Sequence, residues 1–72
     1  MDIHVKAVDW KSDRIRLWEI RTVEGDRLIG TISLPYGRQK FTVESDVGDF
    51  VSDSFYEARD EVQKRLDSVQ MN

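Results

Sequence analysis

His4 is the single histidine of a 72-residue chain that contains no cysteine. General acid–base chemistry at that imidazole would need a nucleophile or an acid within hydrogen-bond reach. No serine lies in a nucleophile-elbow pattern, and no spacing names a carboxylate partner. The histidine falls at an outward position of the first strand pattern, where solvation is the simpler expectation. Gly25, Gly30, Gly37 and Gly48 are too scattered to form a phosphate cradle. Three of them suit turns, and Gly30 is expected to relieve crowding opposite Arg21. The chain is therefore read as non-enzymatic, with no catalytic residue and no cofactor.

Glu44, Asp46, Asp49 and Asp53 gather carboxylates around one turn. Hard cations such as calcium are bound by oxygen clusters of this kind, but the spacing does not fit a calcium loop and no bidentate glutamate follows. Asp46 and Asp49 are better read as turn formers, and Asp53 as a favourable charge near a helix N-terminus. No metal site is expected.

Trp10 and Trp18 stand among Lys6, Arg14, Arg16 and Lys40. Three kinds of chemistry use this combination. Indoles stack on unpaired bases while cations meet phosphates, as in single-strand binding. Trp and Arg also anchor protein interfaces. Or the indoles are structural, packed at a sheet edge with arginine stems over them. For either tryptophan alone the structural role is favoured. For the patch as a whole, protein binding is favoured over nucleic acid. The net charge is -3, Asp9, Asp13 and Glu19 dilute the basic residues, and no aromatic–glycine RNA-binding motif is present.

These residues have to be positioned by a small scaffold. Ile3, Val5 and Ala7 alternate with His4, Lys6 and Val8, the period of a strand. After a polar break at Lys11-Ser12-Asp13, a second strand runs from Arg14 to about Val23 and a third from Leu28 to Leu34. Gly25-Asp26 between them predicts a two-residue hairpin loop that pairs Glu24 with Arg27 and Val23 with Leu28. Leu34-Pro35-Tyr36-Gly37 is a turn, Gln39 to Ser45 a fourth strand, Asp46-Val47-Gly48-Asp49 another turn, and Phe50 to Ser52 a short fifth strand. Short loops between successive strands imply an antiparallel meander.

The last segment, from Ser54 to about Gln70, is a helix. Phe55, Ala58, Val62, Leu66 and Val69 recur at steps of three and four and form one apolar stripe. Ser54 and Glu57 have capping-box spacing. Asp60–Lys64 and Glu61–Arg65 are acid-before-base pairs one turn apart. A lone helix of this length is marginal in water, so the stripe needs a partner surface. The fold class is α+β: an antiparallel β-meander of four or five strands with one C-terminal α-helix packed across one face, a single domain spanning residues 1–72.

The two-residue hairpin assigns the sheet faces. Ile15, Leu17, Glu19, Arg21 and Val23 would share the helix side with Leu28, Gly30, Ile32 and Leu34, joined by Ile3, Val5, Ala7, Phe41 and Val43. His4, Lys6, Val8, Trp10, Arg14, Arg16, Trp18, Ile20, Ile29, Lys40 and Thr42 would face outward. Glu19 and Arg21 on the helix side count against this phase; they form a pair at the sheet margin, or a bulge near Trp18 switches it. Trp18 beneath the helix with Leu17 outside would reverse the assignment. As it stands, the outer face carries more apolar surface than an open sheet face needs, which marks an interaction surface.

Composition bounds the rest. A chain this short, 39% hydrophobic, builds a thin two-layer core rather than a deep, water-excluding pocket. Residues 1–43 carry a net +2 and residues 44–72 a net -5, a slightly basic sheet backed by an acidic helix. That helix exposes Glu57, Asp60, Glu61, Lys64 and Asp67, a face able to mimic phosphates toward a nucleic-acid-binding partner, although a plain solvated face is the simpler account. Absence of cysteine points to a reducing compartment. Met1 to Lys6 does not resemble a secretion signal, and no apolar run approaches the length of a membrane span; a cytoplasmic protein with no membrane partner is expected.

Together these features predict a non-enzymatic protein-binding module, a small regulator or inhibitor of the phage-like kind, that occupies a surface of a larger protein machine. Its expected partner-binding residues are Trp10, Arg14, Arg16, Trp18, Ile20, Lys6 and Lys40. The alternative is a single-stranded nucleic-acid-binding domain using the same outer face. A homodimer built on that face would hide the same apolar surface.

Overall fold

The computed structural model describes residues 2–8, 15–35 and 37–70. Five strands, β1 (Ile3–Ala7), β2 (Ile15–Thr22), β3 (Leu28–Pro35), β4 (Phe41–Ser45) and β5 (Phe50–Ser52), precede one helix, α1 (Phe55–Gln70). The strands lie in sequence order in one sheet, each antiparallel to its neighbour. This is the expected meander, with α1 packed on one face.

Helix α1 forms for the reasons its sequence carries. Ala58 and Val62 are fully buried, and Phe55 and Leu66 pack beside them. Val69 overruns the sheet and is 61% exposed, so the useful stripe ends one turn early. Ser54 caps the first turn: its Oγ accepts from Glu57 N at a long 3.5 Å, and its carbonyl accepts from Ala58 N at 2.9 Å. The reciprocal arm of the expected capping box is replaced. Ser54 N donates to the Oγ of Ser52, a hydroxyl from the end of β5, so strand and helix share one cap. On the wet side Glu61 accepts from Arg65 Nε at 3.0 Å as expected. Asp60, expected to pair with Lys64, instead lies 3.8 Å from Arg59.

The β2–β3 hairpin departs from expectation, and the departure decides the faces. Val23–Asp26 form a four-residue turn closed by Thr22 and Arg27. Gly25 and Asp26 both have positive φ, 84° and 50°, a conformation that glycine accepts freely and aspartate tolerates. Thr22, only 2% exposed, holds the loop. Its amide donates to Arg27 O, its Oγ1 accepts from Arg27 N at 3.0 Å, and its hydroxyl donates to Glu24 O at 2.7 Å. Arg21 therefore pairs with Leu28, not with Gly30.

That shift, two residues relative to the expected loop, would by itself leave every side chain on the expected face, because strand side chains alternate with period two. A β-bulge then intervenes. Between Ile20 and Arg21 the register moves by one, so Ile20 pairs with Gly30 and Trp18 with Ile32. Ile29 is the extra residue, and it turns inward with only 4% exposure. One extra residue reverses the phase: Trp18, Ile20 and Thr22 lie under the helix, and Leu17, Glu19 and Arg21 lie outside. The bulge stands on the turn side of Ile20, not at Trp18. On β1, β3 and β4 the inward positions Ile3, Val5, Ile32 and Val43 are as expected.

The core is Ile20, Ile29, Ile32, Val43, Ala58 and Val62, with Ile3, Val5, Trp18, Phe41, Val47, Phe50, Phe55 and Leu66 around it. Each fully buried Ile or Val contributes roughly 1.5–3 kcal/mol of transfer free energy. Gly30 lets β3 and β4 close over it. A Cβ there would lie 2.5 Å from Glu44 O and 2.6 Å from Ser45 Cβ. Crowding against β4 is the reason for this glycine, since Arg21 is not its neighbour.

Candidate protein-binding surface

The residues expected to form one outer patch are dispersed. Trp18 lies beneath α1, its ring 5.1 Å from that of Phe55 and 5.9 Å from that of Phe41. Ile20 is in the core at 0% exposure and meets no partner. Ile29, also expected outside, is buried with it. Arg16 is exposed opposite Leu34, on the helix side of the sheet beyond Trp18. Lys6 is exposed on the outer face opposite Glu19. Lys40 is exposed before β4, its Nζ 3.5 Å from Asp53 Oδ1. Trp10 and Arg14 lie outside the described residues. Both binding modes expected of the outer face, protein anchoring and base stacking, drew on Trp10 and Trp18, and the bulge removes Trp18 from that face.

What does occupy the outer face among the described residues is mostly polar, with Leu17, Leu28 and Val51 as apolar members. Lys6, Glu19, Thr31 and Glu44 form one cross-strand row, and Leu17, Ser33, Thr42 and Val51 form the next. At the hairpin end, Arg21 Nε donates to Glu19 Oε1 at 3.1 Å, and its Nη1 donates to the Asp26 carbonyl at 2.9 Å. His4 Nε2 lies 3.1 Å from Asp26 Oδ1. This network staples β1 and β2 to the turn. It accounts for Glu19 and Arg21 without a functional role, and it gives His4, expected to be solvated, a carboxylate neighbour.

The acidic turn is structural too. Asp49 Oδ1 accepts from Ser45 N at 3.2 Å, while the Ser45 hydroxyl donates to Gly48 O at 2.7 Å and accepts from Val47 N. Among the described residues no group of three or more His, Asp or Glu side chains is placed to hold a metal ion. No described helix is long and apolar enough to cross a membrane.

The surface that the fold does build lies along β5. Among the described residues this strand pairs only with β4, and its other edge meets no strand. Among the described residues its backbone takes part in no hydrogen bond outside that ladder. Beside the open edge is a groove of about 540 Å³ whose floor is Phe50, Val51 and Ser52. Glu57, Asp60, Glu61 and Lys64 form its wall, spaced so that one side of α1 overlooks β5. Arg65 closes one end. Its guanidinium lies 4.4 Å above the Phe50 ring and holds Glu61. Gly48, at φ 117°, leaves room for it, since a Cβ there would stand 2.7 Å from Arg65 Nη1. The opposite edge of the sheet is treated differently. On β1, Ile3 N donates to Gln63 Oε1 of the helix at 3.1 Å.

Of the sequence-selected features, the acidic helix face is the one that borders a groove. The open edge was legible only as the last short strand in the order. No family model matches this chain, and no curated protein or solved structure matches it.

Proposed function

We propose that this domain is a non-enzymatic protein-binding module, a small regulator or inhibitor that works by occupying a surface of a larger protein, and that its docking surface is the β5–α1 groove. One observation supports this siting: an unpaired strand edge and a carboxylate-bearing helix wall border the same open groove. Exposed strand edges are templates for pairing that proteins ordinarily cover, and here α1 leaves that edge bare. Among the described residues the outer face carries none of the aromatic anchors that interface hot spots favour.

Affinity capture from the native cell with three baits tests the proposal. They are the natural chain, the Glu57→Gln/Asp60→Asn double variant and a Lys6→Glu variant of the outer face. All three substitutions are at exposed positions, and circular dichroism checks that each bait is folded. A saturable partner held by the natural and Lys6→Glu chains but lost by the double variant supports the groove. A partner lost only with Lys6→Glu, or none that distinguishes the baits, overturns it.

A further inference from the structure

We infer that the occupant of the β5–α1 groove is an extended basic segment of the partner, added to β5 as a sixth strand with alternate Lys or Arg side chains directed at the carboxylates of α1. This rests on the protein-binding role proposed above and specifies its chemistry. Strand addition supplies backbone hydrogen bonds for affinity and leaves specificity to alternate side chains. The free edge of β5 supplies the first. The helix wall supplies the second. Glu57 makes no ion pair among the described residues, and Asp60 has only the exposed 3.8 Å approach of Arg59.

The dimensions agree. Same-face residues of a strand repeat at about 6.6–6.8 Å. Side chains three or four apart on a helix repeat at about 4.5–6 Å along its axis. Glu57 and Asp60, three residues apart, are offset by about 4.5 Å along the helix axis, a mismatch of about 2 Å that long, flexible Lys or Arg side chains at positions i and i+2 of an added strand can span. Charge also argues against a second copy of this chain as the occupant. Asp49 and Asp53 flank β5, and Glu57 and Asp60 stand above it, so an antiparallel copy would set acid against acid across the new seam.

The experiment is a titration of the isotopically labelled 72-residue chain, followed through its backbone amide resonances. Three blocked synthetic hexapeptides serve as probes: Lys-Thr-Lys-Thr-Lys-Thr, its Glu-Thr counterpart, and Lys-Pro-Lys-Pro-Lys-Pro, which keeps the charge but cannot donate to a ladder. Saturable shifts confined to residues 50–52 and 57–64 are expected with Lys-Thr. Binding should weaken at least tenfold for the proline probe and for the Glu57→Gln/Asp60→Asn chain, and be lost for Glu-Thr. Equal binding of the proline probe would show attraction without strand pairing and overturn the inference. Absence of saturable shifts, or shifts centred elsewhere, would overturn it too. Shifts of residues 50–52 on raising protein concentration alone would assign the edge to a second copy, with the same consequence. If the probes fail while capture remains groove-dependent, the docking site stands and the strand mode falls. If the probes bind and no groove-dependent partner is captured, the groove takes a basic strand but the protein-binding role proposed above falls.

Discussion

Trp18 and Phe55 meet at a tilt beneath the start of α1, their ring centroids 5.1 Å apart and their planes inclined at 58°. Phe41 completes the cluster at 5.9 Å from Trp18 and 6.0 Å from Phe55. Three elements, β2, β4 and α1, are thereby joined at one end of the sandwich. Trp18→Ala should destabilise the domain toward the lower end of the ~3–5 kcal/mol typical of aromatic truncation in cores, because the indole is only half-buried. Urea unfolding measures it. A cost below about 0.5 kcal/mol, as for a surface substitution, would place Trp18 outside the helix-covered face.

The bulge makes a sharper claim about two adjacent residues. Ile29→Lys sets an unpaired charge in the core and should abolish cooperative unfolding. Leu28→Lys, at a position 46% exposed, should change stability by no more than about 0.5 kcal/mol. The reverse pattern, with Ile29→Lys tolerated and Leu28→Lys disruptive, would mean that β3 continues without an extra residue.

Gly30→Ala should also be costly. The added methyl would press on the Glu44 carbonyl and the Ser45 backbone, which cannot yield as a flexible side chain would. Overpacking of this kind costs about 1–3 kcal/mol. Thermal unfolding should show a lowered midpoint, and an unchanged midpoint would contradict the β3–β4 register.

Thr22→Val replaces the hydroxyl that closes the hairpin with a methyl group of similar size. The Arg27 amide and the Glu24 carbonyl each lose a partner. Glu24 and Arg27 are exposed, so water can take the place of the hydroxyl and the cost is that of ordinary hydrogen bonds, about 0.5–1.5 kcal/mol. Amide hydrogen exchange should report faster opening of the turn, centred on Arg27. A change spread evenly over the sheet would argue that the hydroxyl is not the local clasp.

Short DNA and RNA oligomers, titrated at low salt where phosphate contacts are strongest, should leave the Trp18 indole resonance in place. Its ring is engaged by Phe41 and Phe55 and cannot stack on a base without uncovering the core. A saturable shift of Trp18 would show that its ring is accessible to bases and contradict its placement beneath α1.

The sequence by itself determined the elements, and it did so wherever the cause is local. The helix follows from a stripe at steps of three and four and a serine cap. The meander follows from period-two runs broken by turn residues, and the inward positions Ile3, Val5, Ile32 and Val43 follow from their alternating apolar pattern, whereas Leu28 and Ile29 are exchanged. The acidic helix face was legible for the same reason, since neighbours on a helix are fixed by spacing alone. Tertiary structure decided which way β2 faces. Register between two strands is a non-local quantity, set here by a four-residue loop in place of two and by one extra residue, Ile29. Because side chains alternate with period two, that single insertion exchanged Leu17, Glu19 and Arg21 for Trp18, Ile20 and Thr22 under the helix. Glu19 and Arg21 had marked the conflict, but a pattern of residue types cannot tell a bulge from a pair at the margin. The groove is likewise a tertiary fact. It lies where one side of α1 runs beside β5, an adjacency that brings residues 50–52 and 57–65 together across the fold.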